Sequence, residues 1–421
     1  MTSSRAHVHW ICRGRFATWW LGAVVLWAVS MATVPAGAGE WSGSVSIEGR
    51  LFGDSGLDGQ ADSNLSLALE PEYYLAWDDD DQTLRFTPFL RIDGEDDERT
   101  HFDIRELYWQ RVGRRWEVSV GMKKVFWGVA ESVHLVDIVN QTDLVEDLDG
   151  EQKLGQPMVH LAWIERWGTL DLFLLPGFRE RTFPGVDGRF RTQPPVDTDR
   201  PLYASSAGDD HVDWAVRWSH SVGAFDLGVS HFSGTSREPA FVEDPASTDP
   251  TSTDRFLPFY GQMDQTGLDV QATLGSWLLK LEAIHRTFDG GDVQAAVAGF
   301  EYTLFDLART GLDLGLLLEY YGGEVGGPAP EGTSQVFEVD NIFVGTRLAL
   351  NDPQGTELLI GTGIETRDGS TFLNIEGSRR LGNAWRLTLR GRGFVDIAED
   401  NFLLAPLRQD DYLELGLAYY F

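Results

Sequence analysis

The sequence predicts an all-β protein: a transmembrane, antiparallel up-and-down β-barrel of about eighteen strands. Three observations carry this. Beyond residue 38 the chain breaks into segments of roughly ten residues in which apolar and polar side chains alternate, divided by Gly, Asp, Asn and Pro. No stretch there is apolar for long enough to cross a bilayer as a helix. The chain also ends on a strand whose Leu413, Leu415, Leu417, Tyr419 and Phe421 occupy alternate positions and therefore one face. A membrane chain without helices has to close its sheet, because an unpaired backbone group in hydrocarbon is too costly.

The N-terminus is read as a signal peptide over residues 1–38. Arg5, Arg13 and Arg15 form a basic region, Phe16 to Met31 is an uncharged run, and Ala36-Gly37-Ala38 is a small-residue cleavage site. That leaves 39–421 as one barrel domain. The only cysteine, Cys12, falls in the leader, so the remainder has no disulfide, thiolate metal site or cysteine nucleophile. With 65 acidic against 34 basic residues the formal net charge is −31, which disfavours nucleic acid as a partner.

Taken in order, the alternating segments are Trp41–Phe52, Asn64–Trp77, Thr83–Asp93, Phe102–Val112, Arg115–Lys123, Pro157–Arg166, Thr169–Leu175, Asp210–Ser219 and Ala224–Phe232. Gly267–Leu274, Trp277–Phe288, Val293–Leu304, Thr310–Tyr321, Asn341–Leu350, Thr356–Arg367, Thr371–Arg380, Trp385–Asp396 and Tyr412–Phe421 follow. Thr83–Asp93 shows the pattern well: Leu84, Phe86, Leu90 and Ile92 share one face, Arg85, Thr87, Arg91 and Asp93 the other. A miscounted pair near Gly267 or Gly53 would reduce the number to sixteen, also even. The connections sort by parity. Every even-numbered one is a short turn, such as Gly113–Arg114 or Gly275–Ser276, whereas long ones occur only at odd positions, notably 124–156, 176–209 and 233–266. That is the layout of a barrel with turns at one end and loops at the other.

The last strand resembles the C-terminal signal of Gram-negative outer-membrane β-barrels, which implies that location and recognition of this strand by the barrel-assembly machinery. Phe421 would then sit in an interfacial aromatic belt. Gly121-Met122-Lys123-Lys124-Val125-Phe126-Trp127-Gly128, continuing through Glu131, Asp137 and Asn140 to Asp143, is unusually apolar for a solvated loop at Val133, Leu135, Val136, Ile138 and Val139. It looks like the inward third loop of porins, and the basic-aromatic-Gly turn is loosely similar to uncharacterised porin-like and alginate-export-type barrels. The resemblance implies that 124–156 folds into the lumen.

No catalytic motif appears: there is no G-x-S-x-G, no H-E-x-x-H and no phosphate loop, and the histidines have no metal-ligand spacing. No cofactor or metal is called for. The expected constriction lining is Lys123, Lys124, Glu131 and Asp137, with Arg386, Arg390, Arg392, Glu376 and Glu414 on the last three strands, since inward charges set a pore's field. The acid runs Asp54–Asp62, Asp93–Glu98, Glu146–Glu151 and Glu243–Asp254 are expected at the solvated outer rim, some of them holding divalent cations that bridge to lipopolysaccharide. The function expected is a porin-like channel for passive diffusion of small polar or charged solutes. An export channel for an acidic polysaccharide, a barrel-embedded hydrolase and a structural outer-membrane protein are the alternatives. Outer-membrane lipid, lipopolysaccharide and a small-molecule solute are the expected partners, with homo-oligomerisation left open.

Overall fold

The computed structural model describes residues 39–243, 255–288, 290–327, 337–401 and 404–421; the leader expected over 1–38 lies outside them. The barrel strands are β1 (Glu40–Phe52), β2 (Ser63–Trp77), β3 (Gln82–Asp93), β4 (His101–Val112), β5 (Trp116–Lys123), β6 (Gln156–Glu165) and β7 (Gly168–Pro176). Then come β9 (Val212–Val222), β10 (Phe225–Thr235), β13 (Gln262–Leu274), β14 (Trp277–Phe288), β15 (Gly291–Leu304) and β16 (Asp313–Gly326). β17 (Asp340–Ala349), β18 (Glu357–Glu365), β19 (Thr371–Leu381), β20 (Trp385–Val395) and β21 (Tyr412–Tyr420) complete an 18-stranded sheet. Three short strands in the loops, β8 (Leu202–Tyr203), β11 (Ala240–Glu243) and β12 (Phe256–Tyr260), form a separate small sheet.

Each barrel strand pairs antiparallel with its neighbour in sequence, and β1 pairs with β21, so the ring closes. The seam runs from Ser44↔Tyr420 to Phe52↔Tyr412, and beyond it Gly43 and Phe421 exchange both backbone hydrogen bonds at 3.1 Å. Gly43 has φ +151°, and a Cβ there would meet the backbone of Glu70 and Pro71 at 2.6 Å, so only glycine lets β1 and β2 approach this closely.

Alternation sets the two faces. On β21, Leu413 and Leu415 are 46% and 54% exposed on the outer wall, while Glu414 between them is 2% exposed inside. The same holds around the ring, where Ile47, Leu67, Ile92, Val120, Leu172, Leu279, Val344 and Leu387 all face outward. Exposed Trp77, Trp116, Trp163, Trp167, Trp277, Trp385, Tyr419 and Phe421 gather at the end carrying the short turns. A polar interior and an apolar, aromatic-rimmed exterior invert the ordinary soluble arrangement; this wall is built for hydrocarbon.

Two acid runs depart from their expected place: in Asp93–Glu98, Asp96 is buried and accepts from the Gly185 amide. Glu146 and Asp147 are buried rather than at a solvated rim. Wall arginines take them: Arg91 binds both oxygens of Glu146, and Arg390 lies 3.1 Å from Asp147. Of Glu243–Asp254, residues 244–254 lie outside the described residues.

Candidate functional site

The connection from β5 to β6, residues 124–155, is almost without regular structure. It therefore arrives with backbone N–H groups that no ladder satisfies. Two wall carboxylates supply acceptors. Glu282 on β14 accepts from the amides of Val129 (2.7 Å), Ala130 (2.9 Å) and Val136 (3.2 Å). Glu319 on β16 accepts from the amides of Glu131 and Ser132 (both 2.8 Å) and from the Ser132 hydroxyl (2.7 Å). Gly128 (φ +134°) allows the chain to pass here, since a Cβ would sit 3.0 Å from Glu282 Oε1.

Apolar packing fixes the same stretch. Trp127, Leu135, Val136, Ile138 and Val139 form one buried cluster with the inward residues Phe173, Phe232, Ile284, Val297 and Tyr321. Burying a side chain of this size is worth about 1.5–3 kcal/mol, so the cluster outweighs any single polar contact. Ion pairs complete the attachment: Arg105–Asp143 (2.5 Å), Arg347–Glu131 (2.8 Å) and Arg392–Asp149 (3.2 Å) join the segment to β4, β17 and β20.

Where the segment does not fill the barrel, inward positions are small or reachable by water. Gly345, Gly361 and Gly363 lie on the inner faces of β17 and β18 around Phe343. The side chains of Arg347, Arg390 and Glu376 keep 34%, 32% and 40% of their surface. On the segment, Asp149 reaches Arg392 at 3.2 Å, and His134 Nε2 and Glu151 Oε1 lie 2.5 Å apart. Burial pushes the His134 pKa down, but the hydrogen bond and charge of Glu151 more than offset it, so the imidazole titrates above its usual range. The same hydrogen bond holds Glu151 below its ordinary value. Asp149 is pushed up to about 6, by burial first and by Asp147 next.

The structure brings together Glu131, Glu376, Arg390 and Arg392 from the expected lining. Of the others, only Glu414 touches these, 3.3 Å from Arg390. Lys123, at the end of β5, donates to Ser119 and stands over the Tyr108 ring. Lys124 meets Glu106 through its backbone N–H. Asp137 is buried within the segment, accepting from the Trp127 amide and pairing with Lys153, and so holds the fold of the segment rather than its edge. Glu414 is buried against Arg50. Arg386 sits at the turn end, donating to Ser378. Sequence reasoning missed the structural duty of Glu282 and Glu319; the one available signal was a carboxylate at an inward position of a strand with apolar neighbours.

Two constellations were not legible from spacing. His101, Asp143 and Glu146 could hold a cation, but Arg105 and Arg91 already occupy both carboxylates. Ser119, His160 and Asp171 lie on β5, β6 and β7, with Ser119 Oγ 3.5 Å from His160 Nδ1 and His160 Nε2 2.8 Å from Asp171. The imidazole is stacked on Phe173 at 4.3 Å, and Ser119 is buried. The backbone around Ser119 is engaged in the ladders with β4 and β6, which leaves no free N–H pair there to stabilise an oxyanion.

No family model and no curated protein matches the sequence. Solved structures do. A BenF-like porin from Pseudomonas fluorescens Pf-5 aligns over 91% of this chain and 98% of its own, with 9% identity and a TM-score of 0.50. Outer-membrane expressed OmpT of Vibrio cholerae covers 92% and 99% at 10% identity and 0.45. A mutant porin of Rhodopseudomonas blastica covers 91% and 100% at 14% identity and 0.43. The likeness is one of fold: this chain is a closed, 18-stranded antiparallel barrel of the architecture seen in porins.

Proposed function

We propose that the protein is a passive channel of a Gram-negative outer membrane, admitting small polar or charged solutes through the gap beside β17–β20. The single observation that carries this is the inner segment 124–155, tied to the wall by Glu282, Glu319 and ion pairs, beside which Arg347, Glu376 and Arg390 of β17, β19 and β20 keep water-accessible side chains. A scaffold or adhesin has no need of a preorganised constriction. The apolar outer wall and its aromatic rim support the membrane location. Lipopolysaccharide around the loops and the assembly machinery at β21 are the partners proposed with it.

Export of an acidic polysaccharide would call for an interior dominated by free arginine, whereas Arg50, Arg91, Arg105, Arg390 and Arg392 are each paired with a carboxylate. Hydrolysis at Ser119 would require a reachable hydroxyl and an oxyanion site, and the ladder geometry supplies neither. The test is reconstitution of the folded protein into planar bilayers. Discrete conductance steps are expected; silence at every salt concentration and voltage would refute the channel.

A further inference from the structure

We infer that the gap beside β17–β20 passes inorganic cations and small cationic solutes in preference to anions of the same size, with Glu151 and Glu376 setting the preference. This rests on the channel reading above.

The preference comes from how the charges are paired. Three guanidiniums border the gap, and each is spent on two carboxylates. Arg347 faces Glu131 (2.8 Å) and Glu301 (3.7 Å). Arg390 faces Asp147 (3.1 Å) and Glu414 (3.3 Å). Arg392 faces Glu376 (2.8 Å) and Asp149 (3.2 Å). On the segment, Glu151 adds a further carboxylate whose ion-pair partner is His134. Glu414 is shared with Arg50 and Glu131 with Lys280, so seven carboxylates face five fixed cations and His134, and the local balance is slightly negative. Accessibility sharpens it: the side chains of Glu151 and Glu376 retain 50% and 40% of their surface, against 34%, 32% and 1% for Arg347, Arg390 and Arg392. A solute in the gap meets carboxylates more exposed than the guanidiniums beside them, and each of those guanidiniums is already ion-paired.

The field reaches across the passage. At about 0.1 M salt the Debye length is ~10 Å, and low-dielectric walls concentrate field lines inside a cleft. Carboxylate-lined constrictions favour cations for this reason. Arg386, whose hydrogen-bond partner is Ser378, stands four residues nearer the turn end than Arg390. That is about 13 Å along the strand, more than a Debye length from the narrow level.

The experiment is the reversal potential of the full-length protein in planar bilayers under a tenfold KCl gradient. The expected result is a K⁺ over Cl⁻ permeability ratio of at least ~3. The double variant Glu151→Gln with Glu376→Gln should bring it to about one with the open state retained, and Arg386→Gln should leave it high. Heat-modifiable mobility on gels confirms that each variant is folded, and Glu151→Lys provides a second route that should move the ratio further toward chloride. A conducting wild type with a ratio at or below one overturns this inference and leaves the channel intact. A wild-type ratio that both Glu151 variants leave unchanged overturns the assignment to these residues. A silent bilayer overturns the channel reading itself.

Discussion

Glu282→Ala tests whether the inner segment is held by the wall or merely rests against it. The substitution deletes the acceptor of three amides, Val129, Ala130 and Val136, at a site with no exposed surface. A hydrogen bond to a charged group contributes about 1.5–3 kcal/mol, so dry loss of all three would cost roughly 4–9 kcal/mol. Water entering from the interior would satisfy part of this, leaving a net loss of roughly 2–4 kcal/mol. Since 1.4 kcal/mol is a factor of ten, the released segment should gain about one and a half to three decades in population. The apolar cluster around Val136 and Ile284 is untouched, so the barrel should still fold. Single-channel recording should then show larger or noisier open currents, and amide exchange over 129–136 should speed up to match. Unchanged conductance, open-state noise and exchange in a folded variant would refute the reasoning and give the role to the apolar cluster alone.

Excising residues 126–148 should raise unitary conductance severalfold; an unchanged value would mean that the gap lies elsewhere. Lowering the pH from about 8 to 5 neutralises Asp149, which titrates near 6, and protonates His134, so the K⁺ over Cl⁻ ratio should fall with acid and stay flat in an Asp149→Asn, His134→Gln variant. Asp96 in the loop after β3 is raised to about 6, first by burial. The folded state therefore holds that proton more tightly than the unfolded chain, and the contribution, about 2–3 kcal/mol, is present below about pH 4 and lost as pH rises to about 6. Urea midpoints at pH 5 and 7.5 should differ less in Asp96→Asn than in the parent chain. Deleting Phe421 removes both backbone bonds to Gly43 and should lower the yield of heat-resistant barrel; full yield would show that the seam ends sooner.

The strands were legible because period two is local: each segment declares its faces without knowledge of its partner. All eighteen expected segments overlap barrel strands, and the discrepancies fall at strand ends. β13 starts at Gln262 instead of Gly267, for a reason the structure supplies. Gly267 faces Val136 of the inner segment, where a Cβ would stand 3.0 Å from its Cγ1, so the missing side chain makes room for packing and interrupts the pattern. The site was less legible, because alternation names a face and never a partner. Arg50 meets Glu414 across 364 positions and Arg91 meets Glu146 across 55. Glu146–Glu151 reads as a solvated rim until the wall arginines that receive it are known. The arginines of β20 were found by their face, but their neutralisation by Asp147, Asp149 and Glu376 depends on the fold of a distant loop.

The seam between β1 and β21 also governs how the molecule can be made. Every other barrel contact joins strands adjacent in order, which form early and cheaply, whereas the seam brings residue 44 against residue 420. Until that step two long edges stand open, each a template for the wrong strand. Loop-closure entropy and contact order make the step slow. A ribosome still holding the last strand cannot release a sealed cylinder, so sealing has to follow synthesis. Both margins stay exposed to mispairing until β1 meets β21, and that pairing is the step that removes them.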